Sequence, residues 1–159
     1  MPGTHLTYKD FECKNELASG ITPMSIGNEL FLSFNYKEDL IAVVRALESS
    51  RDFTMAKVAV ERLLFHFPAC SLGYALRGRI LVKLGLVKEG LTEIRRGLAL
   101  DNGDLESATI AAGVLADCGQ TKDALEVLRE IARVHPSSAE PAALAAAISS
   151  TQVVVPAVK

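Results

Sequence analysis

The side chains in this 159-residue sequence best suited to hold a metal or attack a substrate are three histidines and three cysteines. His5, His66 and His135 lie far apart, and none has a Cys, Asp or His at metal-ligand spacing. Cys13, Cys70 and Cys118 are odd in number and form no Cys-x-x-Cys pair. That argues against both a zinc knuckle and a closed disulfide framework, and it suits a reducing compartment. The stretch Asp101 to Glu106 looks like the start of a calcium loop, but it lacks the alternating oxygen ligands and the terminal Glu. No glycine-rich loop follows a predicted strand, and no Ser- or Cys-centred nucleophile motif occurs. The chain therefore reads as a non-enzyme with no metal and no cofactor. His66 and His135 fall near predicted helix C-termini, where a cation is mildly favoured by the helix dipole.

The remaining question is what elements such a chain builds. Apolar residues make up 49% of it, but only 6% are aromatic and there is no Trp. A core made from Leu, Val, Ile and Ala suits close helix–helix packing. The formal net charge of −2 gives no general attraction to a polyanion, so nucleic acid is not an expected partner. No basic stretch leads into an apolar run at the N-terminus, and no segment approaches the ~20 apolar residues needed to span a bilayer. The expectation is a cytoplasmic protein that does not insert in membranes. Cys118 is expected on a core-facing position, as a small hydrophobe.

The chain carries an internal period of 34 residues without a gap. Ala56, Gly90 and Ala124 are in step, as are Leu47, Leu81 and Leu115, and Val60, Ile94 and Leu128. Arg51, Gly85 and Gly119 follow the same spacing, and Pro68, Asn102 and Pro136 close the units. The register gives repeats at 37–70, 71–104 and 105–138, each reading as two helices. In the third, Leu105 to Asp117 has helical spacing, Cys118-Gly119-Gln120 breaks it, and Thr121 is placed to cap a second helix. The second unit turns at Gly85, runs a helix from about Val87 to Leu100, and ends in the turn signal Asp101-Asn102-Gly103. Two antiparallel helices approach closely only where small residues meet. Gly78 with Gly90, and Ala112 with Ala124, sit where the paired helices would cross. A glycine there costs a helix about 1 kcal/mol relative to Ala, which suggests a steric need.

The ends are less regular. Residues 1–23 read as a flexible arm. Residues 24–36 read as an N-terminal helix, with Ile26, Leu30, Phe31 and Phe34 on an apolar face, serving as a cap or as the contact of a homodimer. Residues 139–150 read as a C-terminal capping helix, with Ser138 as its N-cap and Pro141 in its first turn. It is mostly Ala on every side, and residues 151–159 form a tail.

This pattern resembles the tetratricopeptide repeat family over about two thirds of the chain. The small position of the first helix is Val44, Gly78 and Ala112, and that of the second is Ala56, Gly90 and Ala124. The turn position is Arg51, Gly85 and Gly119, and the terminal position Pro68, Asn102 and Pro136. Arg51 departs from the usual turn Gly, Leu63 is bulky where a small residue is usual, and the early aromatic is kept only at Tyr74. The resemblance implies an all-α, short right-handed solenoid of three helix–turn–helix repeats with a helix added at each end. It also implies a concave groove lined by the first helices, binding a peptide-like or helical segment of another protein. Carried onto this chain, the groove residues are Glu38, Ile41, Arg45 and Glu48, then Leu72, Ala75, Arg79, Val82 and Lys83, then Glu106, Thr109, Gly113 and Ala116. Members that clamp acidic heat-shock chaperone tails use Lys, Asn and Arg at the positions of Ile41, Arg45, Leu76, Glu106 and Ile110. That clamp is absent here. The layout looks like the small bacterial type III secretion chaperones, which implies a chaperone or adaptor. The alternative is an assembly factor or scaffold subunit that uses its outer faces.

Overall fold

The computed structural model describes residues 36–151. Within them lie seven α-helices and no strand: α1 (Tyr36–Ser49), α2 (Phe53–His66), α3 (Ser71–Lys83), α4 (Val87–Leu100), α5 (Leu105–Asp117), α6 (Thr121–Val134) and α7 (Glu140–Thr151). The expected arm at 1–23 lies outside the described residues, and so does the expected tail at 151–159 except Thr151, which closes α7. So does the expected helix at 24–36, except Tyr36, which opens α1. The chain divides into two units after Asp39, and the second, from Leu40, carries the core.

Chain reversal within each helix pair depends on one backbone feature. Among the described residues, positive φ occurs at Arg51 (61°), Gly85 (85°) and Gly119 (79°), which occupy one repeat position. Around each, the same two hydrogen bonds close the preceding helix. Asp52 N–H donates to Leu47 C=O and Arg51 N–H to Glu48 C=O. Leu86 and Gly85 donate to Leu81 and Val82, and Gln120 and Gly119 to Leu115 and Ala116. This six-to-one plus five-to-two pairing is a Schellman motif, which satisfies carbonyls that a helix end leaves orphaned. The second helices end alike: Phe67, Asp101 and His135 donate back to Leu63, Gly97 and Ile131.

The helices α3 and α4 run antiparallel. Gly78 meets Gly90 near the turn, while Gly97 meets Ser71 and Tyr74 farther from it. A Cβ on Gly78 would lie 2.7 Å from Ile94 Cγ1 and 2.8 Å from the Gly90 carbonyl, and one on Gly90 would lie 2.7 Å from the Gly78 carbonyl. The glycines are therefore required by backbone contact. In the next pair, α5 and α6, Ala112 and Ala124 fill those positions, fully buried in one cluster. Apolar layers repeat in the same register. Val60, Ile94 and Leu128 are all buried, and so are Leu63, Gly97 and Ile131. One cluster joins α1, α2 and the Leu76–Ile80 face of α3; another joins α3 to α6. Ile110 packs against both, tying the two clusters together. Tyr74 is buried, donates its hydroxyl to Pro68 C=O at 3.1 Å, and lies under the guanidinium groups of Arg77 and Arg96.

Local details depart from the sequence reading in three places. Thr121 is the first helical residue of α6, not its cap; Gln120 holds that position without a side-chain capping bond. The first bond of α7 runs from Ala143 N–H to Ala139 C=O, so the entry falls one residue after Ser138 and the helix covers Glu140–Thr151. Cys118 is the half-buried C-cap residue of α5 and packs at the edge of the core, not on a helical core position. Side-chain caps occur at Asp52, Cys70 and Asp104, whose side chains accept from Met55, Gly73 and Ser107 N–H.

A left-handed backbone costs a non-glycine residue roughly 1–2 kcal/mol, which Arg51 bears and the other two turns avoid. Arg51→Gly is expected to raise stability by about 1 kcal/mol after allowing for glycine's greater freedom in the unfolded chain. Gly85→Ala and Gly119→Ala should each lower it by about 1 kcal/mol through backbone conformation alone, since a Cβ at either site meets nothing within 4 Å. Urea denaturation midpoints of the three variants check the signs.

Candidate functional site

A groove of about 780 Å³ is crossed by α1, α3, α5 and α7. Those helices lie side by side because each is separated from the next by a reversing partner of nearly constant length. Equivalent side chains therefore recur across the groove in 34-residue steps. One column is Arg45, Arg79 and Gly113; a second is Ser49, Lys83 and Asp117; a third contains Ile110 and Leu144. Phe53, at the start of α2, and Val114 complete the apolar part of the lining.

Of the residues expected in the groove, Arg45, Glu48, Arg79, Lys83, Glu106, Thr109 and Gly113 line it. Others do not. Ile41 and Ala75 are 2% and 1% exposed and belong to the core clusters, so their place is structural. Leu72 is half-buried against the clusters of α1–α3 and of Leu64, Cys70 and Tyr74. Val82 is half-buried against the α3–α6 core, with its Cγ2 where a Cβ on Gly90 would sit. Ala116 packs against that same core, and Glu38 is exposed near the start of α1. Each of these shares its repeat position with a residue that does line the groove: Ile41 and Ala75 with Thr109, Glu38 and Leu72 with Glu106, Val82 and Ala116 with Glu48. Repeat position alone therefore does not decide between groove and core, because the packing around one position differs from unit to unit.

Glu140, Asp117 and Leu144 were missed, although each stands one period from a groove residue: Glu106, Lys83 and Ile110. Stepping the period from the expected Lys83 and Glu106 would have found Asp117 and Glu140, whereas Leu144 shares its column with Ile110, itself not expected in the groove. Phe53 carries no such signal.

Two ion pairs knit the groove. Arg79 makes a forked contact with Glu48, Nε to Oε1 at 2.8 Å and Nη2 to Oε2 at 2.7 Å, with the Glu48 side chain only 12% exposed. This bidentate geometry is the strong form of the interaction, and it holds α1 to α3. Arg45 pairs with Glu106 and links α1 to α5, but both side chains are about half exposed, so solvent screening leaves little stability in it. The side chains of Lys83, Asp117 and Glu140 take part in no ion pair or hydrogen bond among the described residues.

Gly113 differs from the other helix glycines. A Cβ there meets nothing within 4 Å, whereas one on Gly73, Gly78, Gly90 or Gly97 would meet a neighbour at 3.0 Å or less. No packing constraint explains it. The missing side chain leaves the groove open down to the α5 backbone.

The nucleophile and ligand candidates stand elsewhere. Burial, helped by the charge of Asp117 and opposed by Lys83, pushes the Cys118 thiol up from its ordinary value, the direction opposite to activation. The His135 ring Nε2 lies 2.7 Å from the Gly103 carbonyl, tying the end of α6 to the loop before α5. Cys70 and Cys118 are free thiols. Among the described residues no His, Cys, Asp and Glu side chains gather in threes as a metal would require, and no helix is long and apolar enough to cross a membrane. No protein-family model matches the chain, and no curated protein matches it.

Two glycines on α3 and α5 should respond oppositely to the same change. Gly113→Ala is expected to stabilise the fold by about 1 kcal/mol, the ordinary helix-propensity gain. Gly78→Ala should destabilise it by roughly 1–3 kcal/mol through overpacking against Ile94 and the Gly90 carbonyl. Chemical denaturation of both variants, with wild type, tests whether Gly113 is free of packing constraint.

Proposed function

We propose that this chain is a tetratricopeptide-type repeat protein that holds a segment of a partner protein in the groove of α1, α3, α5 and α7. The observation that carries the reading is the open glycine in its wall. Gly113 costs helix stability, relieves no steric contact, and faces a cavity whose lining also includes Phe53, Ile110, Val114 and Leu144. A partner's main chain can approach closely there, while apolar side chains rest on the neighbouring hydrophobes and charged ones meet the rim. Nothing in the groove arranges an activated nucleophile or an acid–base pair, so the proposed action is binding without turnover. The three-repeat layout supports a chaperone or adaptor of the type III secretion kind, acting in the cytoplasm on one client.

Gly113→Arg tests this. An arginine already occupies the same repeat position at Arg45 and Arg79, so the variant should keep its helical circular dichroism. It should bind a co-purified natural partner at least 10-fold more weakly. Equal affinity of a folded variant would refute the groove reading.

A specific observation favours a second reading, in which an outer face joins subunits of a larger assembly. Met55, Val58 and Phe65 form an exposed stripe on α2, Phe65 being 81% exposed. The equivalent positions are polar or small elsewhere: Glu89 and Asp123, Thr92 and Glu126, Ala99 and Arg133. Under this reading Val58→Glu with Phe65→Glu abolishes assembly, measured by light scattering, and spares groove binding. Under the first, the double variant keeps both its partner and its size.

A further inference from the structure

We infer that the partner segment accepted by the groove supplies a Lys or Arg side chain above Gly113, paired with Asp117 and Glu140, next to an apolar side chain seated on Ile110 and Leu144. The inference rests on the groove reading and names the chemistry of its occupant. Its starting point is the column Arg45, Arg79 and Gly113. The first two arginines are each met by a carboxylate, Glu106 and Glu48. At the third position the cation is missing, and a Cβ built there meets nothing within 4 Å.

Two carboxylates line the same groove. Asp117 stands one helical turn beyond Gly113 on α5, a separation at which helix side chains are neighbours. Glu140 opens α7, which packs against α5. Both are exposed, and neither side chain has an ion-pair or hydrogen-bond partner among the described residues. With Arg45–Glu106 and Arg79–Glu48 mutually neutralised, the groove's remaining charges are Lys83, Asp117 and Glu140, an excess of one negative charge. A metal is a poor occupant, since no third ligand joins the two carboxylates. The adjacent Ile110 and Leu144 favour an amphipathic segment over a bare polyamine. A guanidinium fits best, because it can fork onto both oxygens of a carboxylate as Arg79 does onto Glu48.

The test is selection of a phage-displayed random dodecapeptide library on the full chain, with the winners re-bound to Gly113→Arg and to the double variant Asp117→Asn, Glu140→Gln. Both carboxylates are exposed, so the double variant should keep the wild-type melting temperature. The expected winners carry Arg or Lys within three residues of Leu, Ile, Val, Met or Phe. They should lose at least 10-fold in affinity to either variant, and a similar factor when their own Arg is changed to Gln. Peptides that lose affinity to Gly113→Arg but are neutral or acidic, or are indifferent to the double variant, overturn the inference and leave the groove reading standing. Peptides that bind Gly113→Arg as well as wild type, or no enrichment at all, overturn both.

Discussion

A helix can be followed at once by an antiparallel partner only if the chain reverses within a few residues and the carbonyls at the helix end are still satisfied. In this protein the left-handed residue at position 51, 85 or 119 does both. Its positive φ turns the chain, and it places two N–H groups on the carbonyls that the helix would otherwise leave unpaired. Everything downstream follows from repeating that turn at constant spacing. The second helix of each pair starts at 53, 87 or 121, always two residues after the left-handed one. Fixed helix lengths then return the chain to the same level before α3 and α5 begin. Side chains 34 apart become neighbours on one face, which is why a groove with columns exists at all.

Close approach is the second constraint, and it explains where glycine is tolerated. Between α3 and α4 the backbones touch at Gly78 and Gly90, and the helix-propensity loss is offset by packing that no Cβ would permit. The α5–α6 pair uses Ala at the same positions and keeps better helix formers. Gly113 shows the contrast. It has the same intrinsic cost with no packing return. A residue that weakens its helix and fills no structural need is the kind of local inconsistency that marks function.

Much of the fold was legible because period and small-residue spacing are properties of the backbone plan. The bounds of α4 and α5 follow from the apolar spacing, and the turns follow from Gly85 and Gly119. Arg51 was recognised as a departure, and it takes the left-handed conformation despite its side chain because the tertiary register imposes it. The groove was legible only in part. Charged positions such as Arg45, Arg79 and Glu106 declare their solvent face, since burying them unpaired would be costly. Apolar ones do not. Ile41 and Ala75 look the same in sequence whether they line a groove or a core, and Thr109, at the same repeat position, lines the groove where they do not. Phe53 lines the groove from the start of a second helix, a position with no counterpart in a column of first-helix residues.

The distribution of charge separates what the molecule provides from what it leaves for another. Glu48 is nearly buried under a forked arginine, so that pair fixes α1 against α3 and is already complete. Arg45–Glu106 is half exposed, and its weak, screened attraction can be exchanged without loss of the fold. A groove that stabilised itself by saturating every charge would have little to offer a partner, because each new contact would first have to break an old one. Here saturation is incomplete. The Arg45–Glu106 pair reaches α5, but at Gly113 the column loses its arginine, and the Asp117 and Glu140 side chains hold no ion pair among the described residues. The groove thus carries finished contacts beside unfinished ones, and a new contact at the unfinished ones breaks none.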